Sequence, residues 1–278
     1  MKKIIAAFDG LKYATSTRDY AIAIALQTET HLVGVFLEDP LYTSYKMYDL
    51  IEDKGVSSEK LNMLEANDLA KRQEAVNDFE KACQQSGLKY SIHHDHKTAI
   101  LELKHECTYA DMLIINAEET LSHYAEKIPT RFITELLIDA HCPVLVVPNS
   151  YKPINKIALL YDGEPSSVHA IKMFSYILPG LKQYETSLIT VKSYNANLHI
   201  PDNKLVKELM KRHYPNANFT VLEGLAEDEI IHHINESKEN SLIVLGAYKR
   251  GAISRWMKES MADILMKEMN YPLFIAHK

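Results

Sequence analysis

Apolar residues in this chain fall into two rhythms. One is a set of short, almost unbroken runs: Ile4-Ile5-Ala6-Ala7-Phe8, Leu32-Val33-Gly34-Val35, Met112-Leu113-Ile114-Ile115 and Val144-Leu145-Val146-Val147. Continuous runs rich in Ile, Val and Leu suit strands covered on both faces of a parallel sheet. Between them the apolar positions return every third or fourth residue, as on a helix with one buried face. Arg18 to Gln27 is Ala-rich and helix-favouring. Leu61, Leu64, Val76, Phe79 and Cys83 share one face of a long helix, Ala99, Ile100, Leu103 and Cys107 mark another, and Ile133, Leu136, Leu137 and Ala140 the last before Pro143 restarts an extended segment.

The succession then begins again. Lys3-Ile4-Ile5-Ala6-Ala7-Phe8-Asp9-Gly10 returns as Lys156-Ile157-Ala158-Leu159-Leu160-Tyr161-Asp162-Gly163, and the run at His31 to Val35 returns at Thr186 to Val191. Ala110 to Ile115 returns as Asn240 to Leu245, and Cys142 to Val147 as Tyr271 to Ala276. Helices of the second copy are expected at Ile171 to Leu178, Leu205 to Met210, Ile230 to Ile234 and Met261 to Met269. Matched segments in one order mark an internal repeat. The Pro- and polar-rich link from Pro148 to Pro153 divides it, giving units at 1–150 and 151–278.

Strand alternating with helix implies right-handed crossovers. The fold class is α/β: two tandem doubly wound units, each a five-stranded parallel sheet of order 3-2-1-4-5 flanked by helices. Each unit is expected to have its own sheet and its own crevice at the carboxyl ends of its strands. The copies differ between their second and third strands. Leu41 to Lys60, with Tyr42, Tyr45, Met47 and Tyr48, has only a short counterpart at Ser193 to Asp202. This segment is either an exposed elaboration with a short helix, or a cap over the site or a partner surface.

Composition narrows the function classes. The 278 residues are 46% hydrophobic and 24% charged, ordinary for a globular protein. A net charge of −6 argues against nucleic acid as the main partner. Neither a membrane span nor a signal peptide is expected, and the expected location is cytoplasmic. Cys83, Cys107 and Cys142 form no CxxC pair and are read as buried small hydrophobes.

A strand ending in Asp-Gly, a Ser-containing helix start, a fourth strand ending at a Gly-rich loop, and the closing Pro143-Val144-Leu145-Val146-Val147 together resemble the universal stress protein family. The resemblance spans the chain once per half. It implies a Rossmann-like unit of the adenine nucleotide alpha hydrolase type. In nucleotide-binding members the loop reads Gly-x2-Gly-x9-Gly-Ser/Thr, with backbone N–H groups and a helix start cradling the phosphates. The acidic residue ending the first strand lies near the base and ribose.

Carried over, the second copy retains Asp162, Gly246 and Ser260, has Lys249 at the second glycine position with Gly251 close behind, and has Glu259 at the third. The resemblance thus implies an adenine nucleotide, ATP or another, held by Asp162, Gly246, Lys249, Arg250, Gly251 and Ser260. Lys249, Arg250, Arg255 and Lys258 are either a solvated basic face around a helix start or cations that reach a phosphate. In the first copy Asp9 remains, but Asn116 replaces Gly246. Ala117-Glu118-Glu119-Thr120 lacks glycine, and Thr130-Arg131 is aligned with Glu259-Ser260. This half is not expected to bind ATP in the family's manner.

Other chemistry is weak. His93, His94 and His96 cluster at a strand end with His105 on the next helix, but two same-side ligands do not complete a zinc site, and no metal is expected. There is no Gly-x-Ser-x-Gly elbow and no Walker-type phosphate loop. Ser166 and Ser167 are expected to cap the second copy's first helix. The reading is a non-catalytic binding or signalling module. Slow ATP hydrolysis or nucleotide transfer is one alternative, and a scaffold without nucleotide is another. Val144 to Val147 and Leu273 to Ala276 are expected to pair edge to edge as an internal pseudo-dimer, and a further homodimer is open.

Overall fold

The computed structural model describes residues 2–39, 42–46, 51–52, 55–56, 58–95, 98–194, 197, 199–237, 239–246 and 260–276. The first half runs β1 (Lys3–Asp9), α1 (Thr15–Thr28), β2 (His31–Leu37), a small ribbon of β3 (Ile51–Glu52) and β4 (Gly55–Val56), α2 (Ser58–Gln85), β5 (Tyr90–Asp95), α3 (Ala99–Thr108), β6 (Met112–Asn116), α4 (Arg131–Asp139) and β7 (Val144–Val147). The second runs β8 (Lys156–Leu160), α5 (Pro165–Ile177), a 3-10 turn at Pro179–Gln183, β9 (Glu185–Lys192), α6 (Asn203–His213), β10 (Asn218–Glu223), α7 (Ala226–Glu236), β11 (Ser241–Gly246), α8 (Met261–Glu268) and β12 (Leu273–Ala276).

The main sheet has the order β10-β9-β8-β11-β12-β7-β6-β1-β2-β5, which is 3-2-1-4-5 twice. Within each half all neighbours are parallel. The expected separation into two sheets does not hold: β12 and β7 pair antiparallel, Leu273 with Val146 and Ile275 with Val144, making one ten-stranded sheet. The cause is edge chemistry. Both strands are short, fully buried and apolar, and each leaves an unpaired row of backbone groups unless the other covers it.

Alternate side chains of the strands feed two cores. Ile4, Ala6 and Phe8 point toward α1 and α2, and Phe174, Val206 and Met210 of α5 and α6 continue that layer. Ile5 and Ala7 point the other way, toward Leu103, Ile133, Leu137, Ile230 and Leu265 of α3, α4, α7 and α8. Gly34 makes room on β2 for the Phe79 ring, which a Cβ would approach to 2.8 Å. On α2 the C-terminal part carries the packing, through Ala75, Val76, Phe79 and Cys83, while Leu61 and Leu64 are only half-buried. The short helix considered for 41–60 is absent among the described residues; β3 and β4 pair there and α2 opens at Ser58. No helix of the described residues is long and apolar enough to cross a membrane.

Candidate functional site

In a doubly wound sheet the strands' carboxyl ends and the helix starts that follow them form a crevice where the strand order reverses. In the second half this crevice encloses ≈ 130 Å³. Its floor and walls are Leu160, Ile189, Val191, Ile230, Leu245 and Met261, and its polar groups are Asp162, Ser167 and the Gly246 backbone.

Asp162 is exposed, and its Oδ1 accepts from the Glu164 amide at 2.9 Å and from Ser167 Oγ at 2.7 Å. Ser167 therefore does not cap α5 as expected. The cap position is Glu164, Pro165 opens the helix, and the Ser167 hydroxyl is drawn back to the strand-end carboxylate. Gly246 lies against the same helix start: a Cβ there would stand 2.4 Å from the Ser166 carbonyl carbon. Ser260 caps α8 in a capping box, accepting from the Asp263 amide at 3.2 Å while its own amide donates to Asp263 Oδ2 at 3.0 Å. Asp162 and Gly246 thus meet at one crevice, Ser260 immediately precedes the crevice residue Met261, and Lys249, Arg250, Gly251 and Glu259 lie outside the described residues.

Several lining residues carry no motif. Ile189 and Val191 lie in the second half of β9, while Ala226 and Met261 open α7 and α8. The signal available in the sequence was positional: the last residues of each predicted strand and the first of each following helix.

The first half presents the same frame with a filled crevice. Asn116 ends β6 where Gly246 ends β11, and its amide reaches Ser16 Oγ at 3.3 Å. Thr130 caps α4, accepting from the Ile133 amide at 3.2 Å. Asn116 to Thr130 repeats the spacing of Gly246 to Ser260, so Ser260 corresponds to Thr130; the alignment with Arg131 was one residue out.

Asp9 is fully buried and Glu119 is 6% exposed. Asp9 Oδ1 accepts from the Leu11 amide at 2.8 Å, and Oδ2 has no hydrogen-bond partner. Glu119 Oε1 accepts from the amides of Thr120 and Leu121 at 2.9 and 3.0 Å. Burial, then the neighbouring Asp9 charge, pushes the Glu119 carboxyl up to about 7, and burial also raises Asp9. Tyr42, from the segment the second half lacks, is 5% exposed, and its hydroxyl faces the Asp9 carboxylate. Burial raises the phenol's pKa, so it stays neutral.

The histidine cluster disperses. His93 Nδ1 lies 2.7 Å from Glu106 and His94 Nδ1 lies 3.1 Å from Glu38, His105 packs edge-on against Tyr109, and His96 lies outside the described residues. Among the described residues, no three His, Cys, Asp or Glu side chains converge as a metal site would require. All three cysteines are buried.

No family model matches the chain, and no curated protein matches it. Solved structures do. A universal stress protein from Archaeoglobus fulgidus covers 99% of this chain over 98% of its own, at 12% identity and a TM-score of 0.73. A protein of unknown function from Pseudomonas aeruginosa covers 100% over 92% of its own, at 14% identity and 0.61. The cytoplasmic domain of a prokaryotic cation chloride cotransporter covers 99% over 94%, at 12% and 0.52. The chain has the fold of a universal stress protein structure, with the strand order present twice.

Proposed function

We propose that the chain is a tandem member of the universal stress protein family, a non-catalytic binding module that takes an adenine nucleotide in the crevice of its second unit, residues 151–278. The first unit, residues 1–150, takes none. One contrast carries the reading: the second crevice is open and walled by apolar side chains, whereas buried carboxylates and Tyr42 occupy the first. An apolar slot with a few convergent polar groups is the usual form of a small-molecule site. At ≈ 130 Å³ it is smaller than the ~300–1,000 Å³ of a pocket for a whole drug-sized ligand. It suits the flat base, with Asp162 beside the ribose and the phosphates directed to Gly246, Lys249, Arg250, Gly251 and Ser260.

The test is isothermal titration with ATP. Gly246 is a poor site to mutate, because a side chain there strikes the backbone of α5 whether or not nucleotide binds. Ala226→Phe is better, since it fills the crevice from a half-exposed position at the start of α7. Wild-type protein binds ATP and the variant does not, with its unfolding midpoint unchanged. Undiminished binding by Ala226→Phe puts the nucleotide elsewhere. Phosphate release assayed with and without magnesium stays at background; turnover lost in Asp162→Ala overturns the non-catalytic reading.

A further inference from the structure

The first crevice is closed from within by ionisable groups that nucleotide binding does not use. We propose that Asp9 and Glu119 form a proton-operated latch: one proton retained by the pair of buried carboxylates keeps Tyr42 seated over the crevice, and its loss to solvent releases Tyr42.

The geometry supplies the parts. Neither carboxylate is in contact with bulk water to any useful extent, at 0% and 6% exposure, and Asp9 Oδ2 is buried without a partner. Two such groups within electrostatic reach of each other do not both ionise at low cost. The charged and titratable groups around them come from every packed element. Lys12, in the turn after β1, donates to the Ser122 carbonyl and has its ammonium 5.8 Å from the Tyr42 ring centroid. Arg72 of α2 donates to the Tyr42 carbonyl at 3.1 Å. His123, in the loop after β6, packs edge-on against the Tyr42 ring at 5.4 Å. Lys12 is the cation that acts on both carboxylates, so it compensates one negative charge and the second carboxyl is better kept as the acid. Arg72 acts on Tyr42, and it packs against Gly10 beside Asp9 with its Nη1 buried and without a hydrogen-bond partner.

Burial raises both acids, Glu119 to about 7. The seated state therefore binds more protons than a state in which Glu119 is solvated with an ordinary carboxyl pKa. Seating is fully favoured below the ordinary glutamate pKa, weakens as pH rises from there to about 7 by up to tenfold per pH unit for one proton, and changes no further above that.

The full chain tests this in two ways. Carbon-13 carboxyl shifts report the Glu119 titration, and amide exchange over Tyr42–Lys46, corrected for the intrinsic pH dependence, reports seating. Expected in the wild type are a Glu119 midpoint near 7 and protection that falls by up to tenfold per pH unit between the ordinary glutamate range and about 7, then levels off. Glu119→Gln makes protection independent of pH, and Asp9→Asn lowers the Glu119 midpoint while burial keeps it above the ordinary glutamate range. A flat wild-type profile, or an equal pH dependence in Glu119→Gln, overturns the latch. Should Glu119→Gln not fold, a wild-type Glu119 that titrates as an ordinary glutamate overturns it by itself.

Discussion

A methyl group on Gly246 would stand 2.4 Å from both the carbonyl carbon and the oxygen of Ser166, and 2.8 Å from the Ser167 amide nitrogen. The helix start sits directly on the strand end because α5 opens at Pro165, close behind Asp162. In the first half α1 opens only at Thr15, further beyond Asp9, and the longer turn leaves space for the Asn116 side chain. Gly246→Ala is accordingly expected to cost about 1–3 kcal/mol, the usual penalty of overpacking, read as a lower midpoint in urea at unchanged slope. Asn116→Ala, losing the long bond to Ser16 and the 2.8 Å bond its Oδ1 accepts from the Glu118 amide, costs about 2 kcal/mol by the same measurement. The glycine was visible in the sequence. Its packing role was not, because it depends on a helix start remote in the chain. The same holds for Glu119. In the sequence it stands in a loop without glycine, and only the folded chain shows it buried beside Asp9.

Among the elements, the strands were the most legible, since each run buried on both faces announces itself without reference to a partner. The helix starts were less so. Ser166 and Ser167 look like caps, yet the Asp162 carboxylate competes for the Ser167 hydroxyl and Pro165 sets the boundary one turn earlier. Thr130 and Ser260 are true caps with unequal duties. Ser260 works within its own capping box. Thr130, 1% exposed, also donates to the Glu119 carbonyl at 2.5 Å, tying α4 to the loop that carries the buried acid. Ser260→Ala is expected to cost about 1 kcal/mol and Thr130→Ala about 2, because the second change also strands a buried carbonyl. Thermal unfolding of the two variants side by side measures the difference.

At the scale of the molecule, the repeat and the doubled strand order followed from the sequence, and so did the partners at the seam. The sheet's continuity was misjudged: pairing two edges necessarily fuses the sheets that own them. Contacts beside the seam join the same halves. Lys2 Nζ donates to the Ile177 carbonyl at 2.6 Å, Gln27 to the Tyr184 hydroxyl at 2.7 Å, and the Lys152 amide to the Tyr20 hydroxyl at 3.3 Å. Residues 1–150 expressed alone uncover β7, so they are expected to self-associate through that edge. Size-exclusion chromatography giving a stable, concentration-independent monomer would show that the seam is dispensable for folding.

The antiparallel seam also fixes where the two halves look. Strands on either side of it run in opposite directions, so the two crevices open at opposite poles of the molecule, back to back across the strand axis. No small ligand spans both mouths, and no flat partner reads them together. A signal passing from the acid-lined pole to the apolar one has the shared backbone of β7 and β12, and the helices laid across it, as its route.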